Sequence, residues 1–423
     1  MCEDMLIRGA RVVDPVTGFD GVEDILIRGG VIAQTGQGLT GGGARIIDAR
    51  GLTAAPGLMD GHVHFRDPGQ TWKEDIFTGA AAAARGGFTT VICMANTVPP
   101  VDNVDTLRYV QKKGEQTGIH VLSAAALTKG MQGSELTDME ELEAAGAAAF
   151  TDDGKPVMDE RILLTGMKKA GQLGIPISLH EEDPALIGAP GVNQGEISRR
   201  LDYAGAPAAA EDVLTARDCM LALYTGARIC IQHISSGTSV ELVRLAKKLG
   251  ADVHAEATPH HFTLTQEAVL RYGTNARMNP PLRTQEDRRK IIEGLMDGTI
   301  DMIVTDHAPH SRQEKERPMQ SAPSGIIGLE TSLGLGIRSL VQPGYISLLK
   351  LMQLMSRNPA EFYGMIPGSI AEGYPADLVI FGENEEWTAG DFASKASNSP
   401  FAGWTLPGRV HYTICGGEIV YRG

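Results

Sequence analysis

The chain has 423 residues, more than one ordinary core holds, so a large barrel plus a smaller domain is the expected scale. Its 42% hydrophobic and 21% charged content is globular, and a net charge of −14 excludes the basic surface that nucleic acid requires. An anionic substrate gains no general attraction from such a charge and would need local cations.

The start, Met1-Cys2-Glu3-Asp4, is acidic and carries no signal-peptide pattern. Strands are expected at 5–13, 22–27, 31–34 and 44–47, β-rich runs punctuated by glycine. From there the pattern changes. Apolar strand-like runs recur at 54–59, 89–94, 120–124, 147–151, 175–179, 228–232, 252–257 and 301–305. Between them lie helical patterns, at 73–85, 103–116, 159–172, 211–224, 239–249 and 285–297. Strands alternating with helices predict an α/β fold, a closed (β/α)8 TIM barrel. A doubly wound open sheet is the alternative, and no GxGxxG follows the first strand to support it. The C-terminal segment returns to strands at 377–381, 410–415 and 418–421, with Gly416-Gly417 as a hairpin signal. Neither end has enough apolar residues for its own core. The two are expected to pair into one small β-sandwich, giving domains 1–53, 54–366 and 367–423, with the first and last forming the sandwich. No apolar run reaches the ~18 residues of a membrane helix. Five scattered cysteines (Cys2, Cys93, Cys219, Cys230, Cys415) fit reduced thiols in a cytoplasm.

Chemistry in a barrel collects at the C-terminal ends of the strands. The first strand runs into His62-Val63-His64, whose alternation sends both imidazoles to one side, with Arg66 two residues further along that side. The fourth ends in Asp152-Asp153, the fifth in His180, the sixth in His233 and the eighth in Asp306. Four imidazoles and two carboxylates exceed one tetrahedral site and suit two ions sharing a bridging carboxylate. Spacing alone does not choose between Asp152 and Asp153 as that bridge. Nitrogen and oxygen ligands without thiolate favour two Zn2+, with manganese or cobalt left open. Such a site activates water and polarises a carbonyl, so the chemistry expected is hydrolysis, or its reverse, at an amide-like carbon.

At these residues the chain resembles dihydroorotases of the bacterial type I group, within the amidohydrolase superfamily. The stretches are Asp60-Gly61-His62-Val63-His64-Phe65-Arg66-Asp67-Pro68-Gly69, Met278-Asn279-Pro280-Pro281-Leu282-Arg283 and Thr305-Asp306-His307-Ala308-Pro309-His310. The resemblance implies reversible cyclisation of N-carbamoyl-L-aspartate to L-dihydroorotate in pyrimidine synthesis. It implies His62, His64 and Asp306 on one ion, His180 and His233 on the other, and Asp153 between them. Asp306 would double as general acid and base. Arg66, Asn96 and His310 would bind the substrate carboxylate, and Asn279 would contact the ring, with backbone groups near Ser324 and Gly325. The family also implies a homodimer and association with aspartate transcarbamoylase.

Many amidohydrolases bridge their metals with a modified lysine on the fourth strand. That strand has none here, and Lys155, beyond its end, is expected to be exposed. The absence counts against a hydantoinase or dihydropyrimidinase, and the complete ligand set counts against a silent scaffold for aspartate transcarbamoylase. His254 is expected to be a satisfied core group, His260 and His261 to pack a loop, and His307 to point away from the metals. The polar segment 311–323 is expected either to close over the mouth or to be a plain solvated loop.

Overall fold

A computed structural model describes residues 3–423, so the acidic start at Met1 and the thiol of Cys2 lie outside the described residues. The chain opens with strands β1 (Met5–Asp14), β2 (Phe19–Arg28), β3 (Val31–Gly36), β4 (Arg45–Asp48) and β5 (Thr53–Pro56). Seven parallel strands follow: β6 (Leu58–Val63), β7 (Phe88–Cys93), β8 (His120–Ser123), β9 (Ile177–Leu179), β10 (Ile229–Ile231), β11 (Val253–Ala257) and β12 (Met302–Ile303). The last strands are β13 (Leu378–Gly382), the short pair β14 (Trp387–Thr388) and β15 (Thr405–Leu406), β16 (Arg409–Cys415) and β17 (Glu418–Arg422).

The terminal strands join in one eight-stranded sheet of order β17-β16-β13-β5-β1-β2-β3, with β4 also paired to β1. β13 lies antiparallel to β5, so the two chain ends do build one domain, around Ile7, Ile25, Ile47, Ala54, Leu378 and Ile380. The expected single strand over 54–59 is in fact two. Its first half, β5, pairs with β1 and β13; its second half, β6, enters the barrel. The crossing is at Gly57, where a Cβ would lie 2.1 Å from Thr89 Oγ1.

The barrel is closed by single bridges where regular strand is missing. Residues 147–151, expected as the fourth strand, hydrogen-bond to Ser123 and Ala125 on one side and to Pro176 and Ser178 on the other, with Phe150 bridged to Ala125 and Ile177. Val63 bridges His307 to close the ring. The expected helices form, as Ile76–Arg85, Val104–Gly114, Glu160–Leu173, Ala209–Thr225, Gly237–Lys248 and Gln285–Asp297. Local chemistry starts and stops them. The Asp75 carboxylate accepts from Phe77 N and Thr78 N, Thr284 and Asp287 form a capping box, and Gly174 ends its helix at φ 72°. The helices pack on the barrel through a core containing Leu58, Phe88, Leu163, Ile231 and Ile303.

The two ends of the barrel differ. Phe362 and Tyr363 plug the interior beside Met59, Ile92 and Met302, and Tyr363 donates to Gly61 O at 3.0 Å. The barrel interior is therefore filled from that end, and the C-terminal rim carries the strand-end side chains.

Candidate metal centre and substrate pocket

His62, His64, Asp153, His180, His233 and Asp306 all reach one buried cluster on that rim. His62, His64 and Asp153 offer donor atoms within 4.8 Å of one another, and so do Asp153, His180 and His233. Asp153 is common to both groups. Its Oδ1 lies 3.5 Å from His62 Nε2, 3.6 Å from His180 Nδ1 and 3.9 Å from His233 Nε2, and its Oδ2 is 3.5 Å from His64 Nε2. Asp306 Oδ1 lies 3.0 Å from His64 Nε2 and 3.7 Å from His62 Nε2. Asp152 points elsewhere: its carboxylate accepts from Leu127 N, Thr128 N and the Thr128 hydroxyl, pinning the loop after β8.

The tautomers follow from the partners, since a carboxylate or amide oxygen only accepts. His62 Nδ1 donates to Glu256 Oε1 at 2.6 Å, and His64 Nδ1 donates to Asn96 Oδ1 at 3.0 Å. His180 Nε2 donates to Glu182 Oε2 at 3.1 Å. In the neutral rings that a cation would require, the remaining nitrogens present lone pairs. His62 Nε2 is buried with no hydrogen-bond partner, and it faces two carboxylates. His180 Nδ1 faces His233 Nε2 at 3.0 Å. Lone pairs and carboxylates converging in a dry site repel one another unless a cation lies between them. The residues present thus fit a metal. Burial would raise the Asp153 carboxyl, but His62, His180 and His64 outweigh it and hold it well below the usual carboxylate range.

Glu256 escapes a search for ligands at strand ends because it lies inside β11. Its Oε1 also accepts from the backbone N–H of His233 at 3.2 Å, so one carboxylate fixes the His62 ring and the main chain that carries His233. The legible signal was an acid within an apolar strand, which needs a partner when buried. Glu182, two residues after His180, was missed in the same way. Asp60 accepts from His62 N and Thr305 N and ties the first strand to the eighth. Arg66, His233 and Asp306 hold positive φ of 58°, 31° and 48°. Such backbone costs roughly 1 kcal/mol or more per residue and collects at functional sites.

A cavity of about 320 Å³ opens over this cluster. Arg66, Asn96, Asn279, His310, Ser324 and Gly325 all line it. Asn96 is already engaged, since its Nδ2 donates to Asp153 Oδ2 at 2.9 Å while its Oδ1 holds His64. Asn279 Oδ1 is buried without a partner. His310 donates from Nε2 to Ser324 O at 2.8 Å, leaving Nδ1 as acceptor beside Lys73 Nζ at 3.5 Å. Burial and the charges of Arg66, Lys73 and Lys315 push its pKa down, so the ring is neutral. With Nε2 protonated, the 3.4 Å approach of Arg66 Nη2 is a contact and leaves the guanidinium fork unconsumed. Asp67 pairs with Lys113 at 2.7 Å and does not compete for Arg66. The backbone of Gly325 is occupied, by Arg277 O on its N–H and by Lys315 Nζ and Asn398 Nδ2 on its carbonyl.

The other histidines sit outside the cluster. His254 bonds Asp252 at 3.1 Å, and His261 bridges Thr258 and Pro280 O. His260 is buried next to His261. His307 turns to Glu74 and accepts from Gly328 N. Lys155 is exposed. The segment 311–323 contains a short helix, Arg312–Lys315, capped by Ser311, and Glu314 pairs with Lys73 at 3.1 Å. The described cysteines are free and buried, and no helix is long and apolar enough to cross a membrane.

A family profile described as Dihydro-orotase-like matches residues 51–239. The chain is 58% identical to the dihydroorotase of Clostridioides difficile, over 99% of this chain and all of that one. It is 51% identical to that of Clostridium acetobutylicum, over 99% of each. Among solved structures, L-hydantoinase (dihydropyrimidinase) from Arthrobacter aurescens superposes with a TM-score of 0.89 at 26% identity, covering 100% of this chain and 96% of that one. A D-hydantoinase superposes at 0.87 and 24% identity, with coverage of 99% and 95%.

Proposed function

From the premise that this chain belongs to the dihydroorotase family, we propose that it interconverts N-carbamoyl-L-aspartate and L-dihydroorotate at the barrel rim. It is a metal-dependent cyclic amidohydrolase acting on a small molecule. The finer reading is a bacterial type I enzyme of pyrimidine synthesis, working in the cytoplasm with two zinc ions. The observation that carries the metal reading is the unpartnered His62 Nε2 facing Asp153 and Asp306. Two ions are favoured by the donor set: four imidazoles and two carboxylates exceed one tetrahedral site, and Asp153 is common to both donor groups.

His62, His64 and Asp306 would hold one ion and His180 and His233 the other, with Asp153 shared. When bound, such a pair lowers the pKa of a water and polarises the amide carbonyl. The chain's own residues do the rest. Arg66 binds the substrate carboxylate through its fork, and the neutral His310 keeps a second cation from crowding it. Asn279 offers its unpartnered Oδ1 to a ring N–H. Asp306 accepts the proton of the attacking water and delivers it to the ring nitrogen as that nitrogen leaves; cyclisation reverses these transfers. Glu256 and Glu182 hold their imidazoles in one tautomer throughout.

A hydantoinase-like activity is the competing reading, favoured by the close superposition on those enzymes. It leaves the Arg66 guanidinium that lines the cavity without a use. Elemental analysis of the purified protein, with ring-opening assays on dihydroorotate and hydantoin, tests the choice. Two metal equivalents and turnover of dihydroorotate alone are expected. Full activity without metal, or preference for hydantoin, overturns the proposal.

A further inference from the structure

A second group of metal-type donors lies at the opposite end of the barrel. His120 is the first residue of β8, Asp377 immediately precedes β13, and Cys415 ends β16. The first belongs to the barrel and the other two to the terminal sheet, so the three meet where the domains join. His120 Nε2 lies 3.0 Å from Asp377 Oδ2, and the donor atoms of all three fall within 4.8 Å of one another.

The geometry suits a tetrahedral ion. Bonds of 2.0–2.3 Å place neighbouring donors about 3.3–3.8 Å apart, within a small side-chain adjustment of what is seen. Asp377 Oδ1 is fixed by Gly416 N at 2.6 Å, which aims Oδ2 at His120. Cys415 Sγ lies 3.9 Å from Thr89 O and faces His120 and Asp377. A weak sulfur donor loses little if it ionises onto a cation. The His120 side chain is 51% exposed and Cys415 is buried, so the group is reachable from one side and walled on the other. A cavity of about 230 Å³, lined by His120, Asp377, Thr89 and Thr90 among others, adjoins it and leaves room for a water as fourth ligand.

We infer that His120, Asp377 and Cys415 form a second metal site, separate from the catalytic centre, that takes a thiophilic divalent cation of the zinc class and clasps the barrel to the terminal sheet. One sulfur, one imidazole and one carboxylate select zinc or cobalt(II) over magnesium or calcium. Three protein ligands and one open position leave the ion exchangeable.

Sulfur makes the site separately observable, because no cysteine belongs to the catalytic cluster. The protein is stripped with a chelator and reloaded with cobalt(II). A thiolate-to-cobalt charge-transfer band in the near ultraviolet is expected, saturating with one equivalent beyond those that restore ring-opening activity. Cys415→Ser and His120→Gln should each lose the band and that equivalent while keeping the activity. His120→Gln alters an exposed side chain, so it remains a test if Cys415→Ser folds poorly. Absence of the band from the wild-type protein, or its persistence in Cys415→Ser, overturns the inference. Its outcome is independent of the catalytic assignment, which is read by activity.

Discussion

Asp306 stands where proton transfer has to happen, buried, 3.0 Å from His64 Nε2, with its backbone held at φ 48°. Asp306→Asn should lower kcat by at least about 10³-fold while circular dichroism stays unchanged. Near-normal turnover would remove its role. Arg66 makes one backbone hydrogen bond, to Pro309 O at 3.3 Å, and is otherwise available to an anion. Arg66→Ala should raise KM about 10–100-fold, the worth of a charge-assisted pair, with a smaller effect on kcat. Steady-state kinetics on dihydroorotate separate the two constants, and a loss confined to kcat would contradict the binding role. Glu256 holds the His62 ring and the His233 backbone N–H and touches no part of the open cavity. Glu256→Gln should weaken metal retention about 10–100-fold, read by competition with a chelator. At this scale the ligands were legible from position at strand ends. Glu256 was not, because its role depends on a neighbour 194 residues away in the sequence.

Gly57 marks the point where one apolar run becomes two elements. Hydrophobicity is continuous across 54–59, so periodicity offers no break; the break comes from pairing, with β5 on β13 and β6 on β7. Gly57→Ala would drive a Cβ into Thr89 and should cost about 1–3 kcal/mol or more, read by denaturant unfolding. The fourth strand shows the reverse. Its run 147–151 has strand composition and backbone bonds to both neighbours, yet only Phe150 is bridged to them. The segment 311–323 was ambiguous because its anchors are remote. Lys315 is buried and donates to Pro323 O and Gly325 O, both at 3.0 Å. Burial and the Arg277 charge push its pKa from 10.5 down to about 7. The folded pKa lies below the unfolded one, so the cost of charging Lys315 in place is full below about pH 7. That cost fades as pH rises from about 7 toward 10.5, and stability rises across the window. Lys315→Met should flatten this part of the pH profile, checked by unfolding both proteins at several pH values between about 7 and 9. An unchanged slope would show that other groups set it.

The molecule keeps its two tasks apart. Apolar packing between barrel and helices carries the fold, and none of the six candidate ligands belongs to that core. Chelation should therefore abolish activity, leave secondary structure intact and lower Tm, because buried carboxylates then face one another uncompensated. Zinc should restore both activity and Tm. Collapse of the far-ultraviolet spectrum on chelation would show that the ions hold the fold itself. The terminal sheet is equally bound to the barrel, since Val379 and Phe381 of β13 pack in the barrel-helix core. Removing residues 367–423 should strip β5 of its β13 partner and leave the barrel insoluble, measured as soluble yield.

The residues themselves determined the class of fold, the rim on which chemistry gathers and the six side chains that gather there. Those follow from local rules, the period of an apolar pattern and the end of a strand. Tertiary structure alone decided that Asp153 rather than Asp152 enters the cluster, that Asn96 is tied to His64 and Asp153, and that β5 leaves the barrel. Each of these turns on which distant group a side chain or strand meets. A hydrogen bond spanning a hundred or more positions leaves no periodic trace in the chain that makes it.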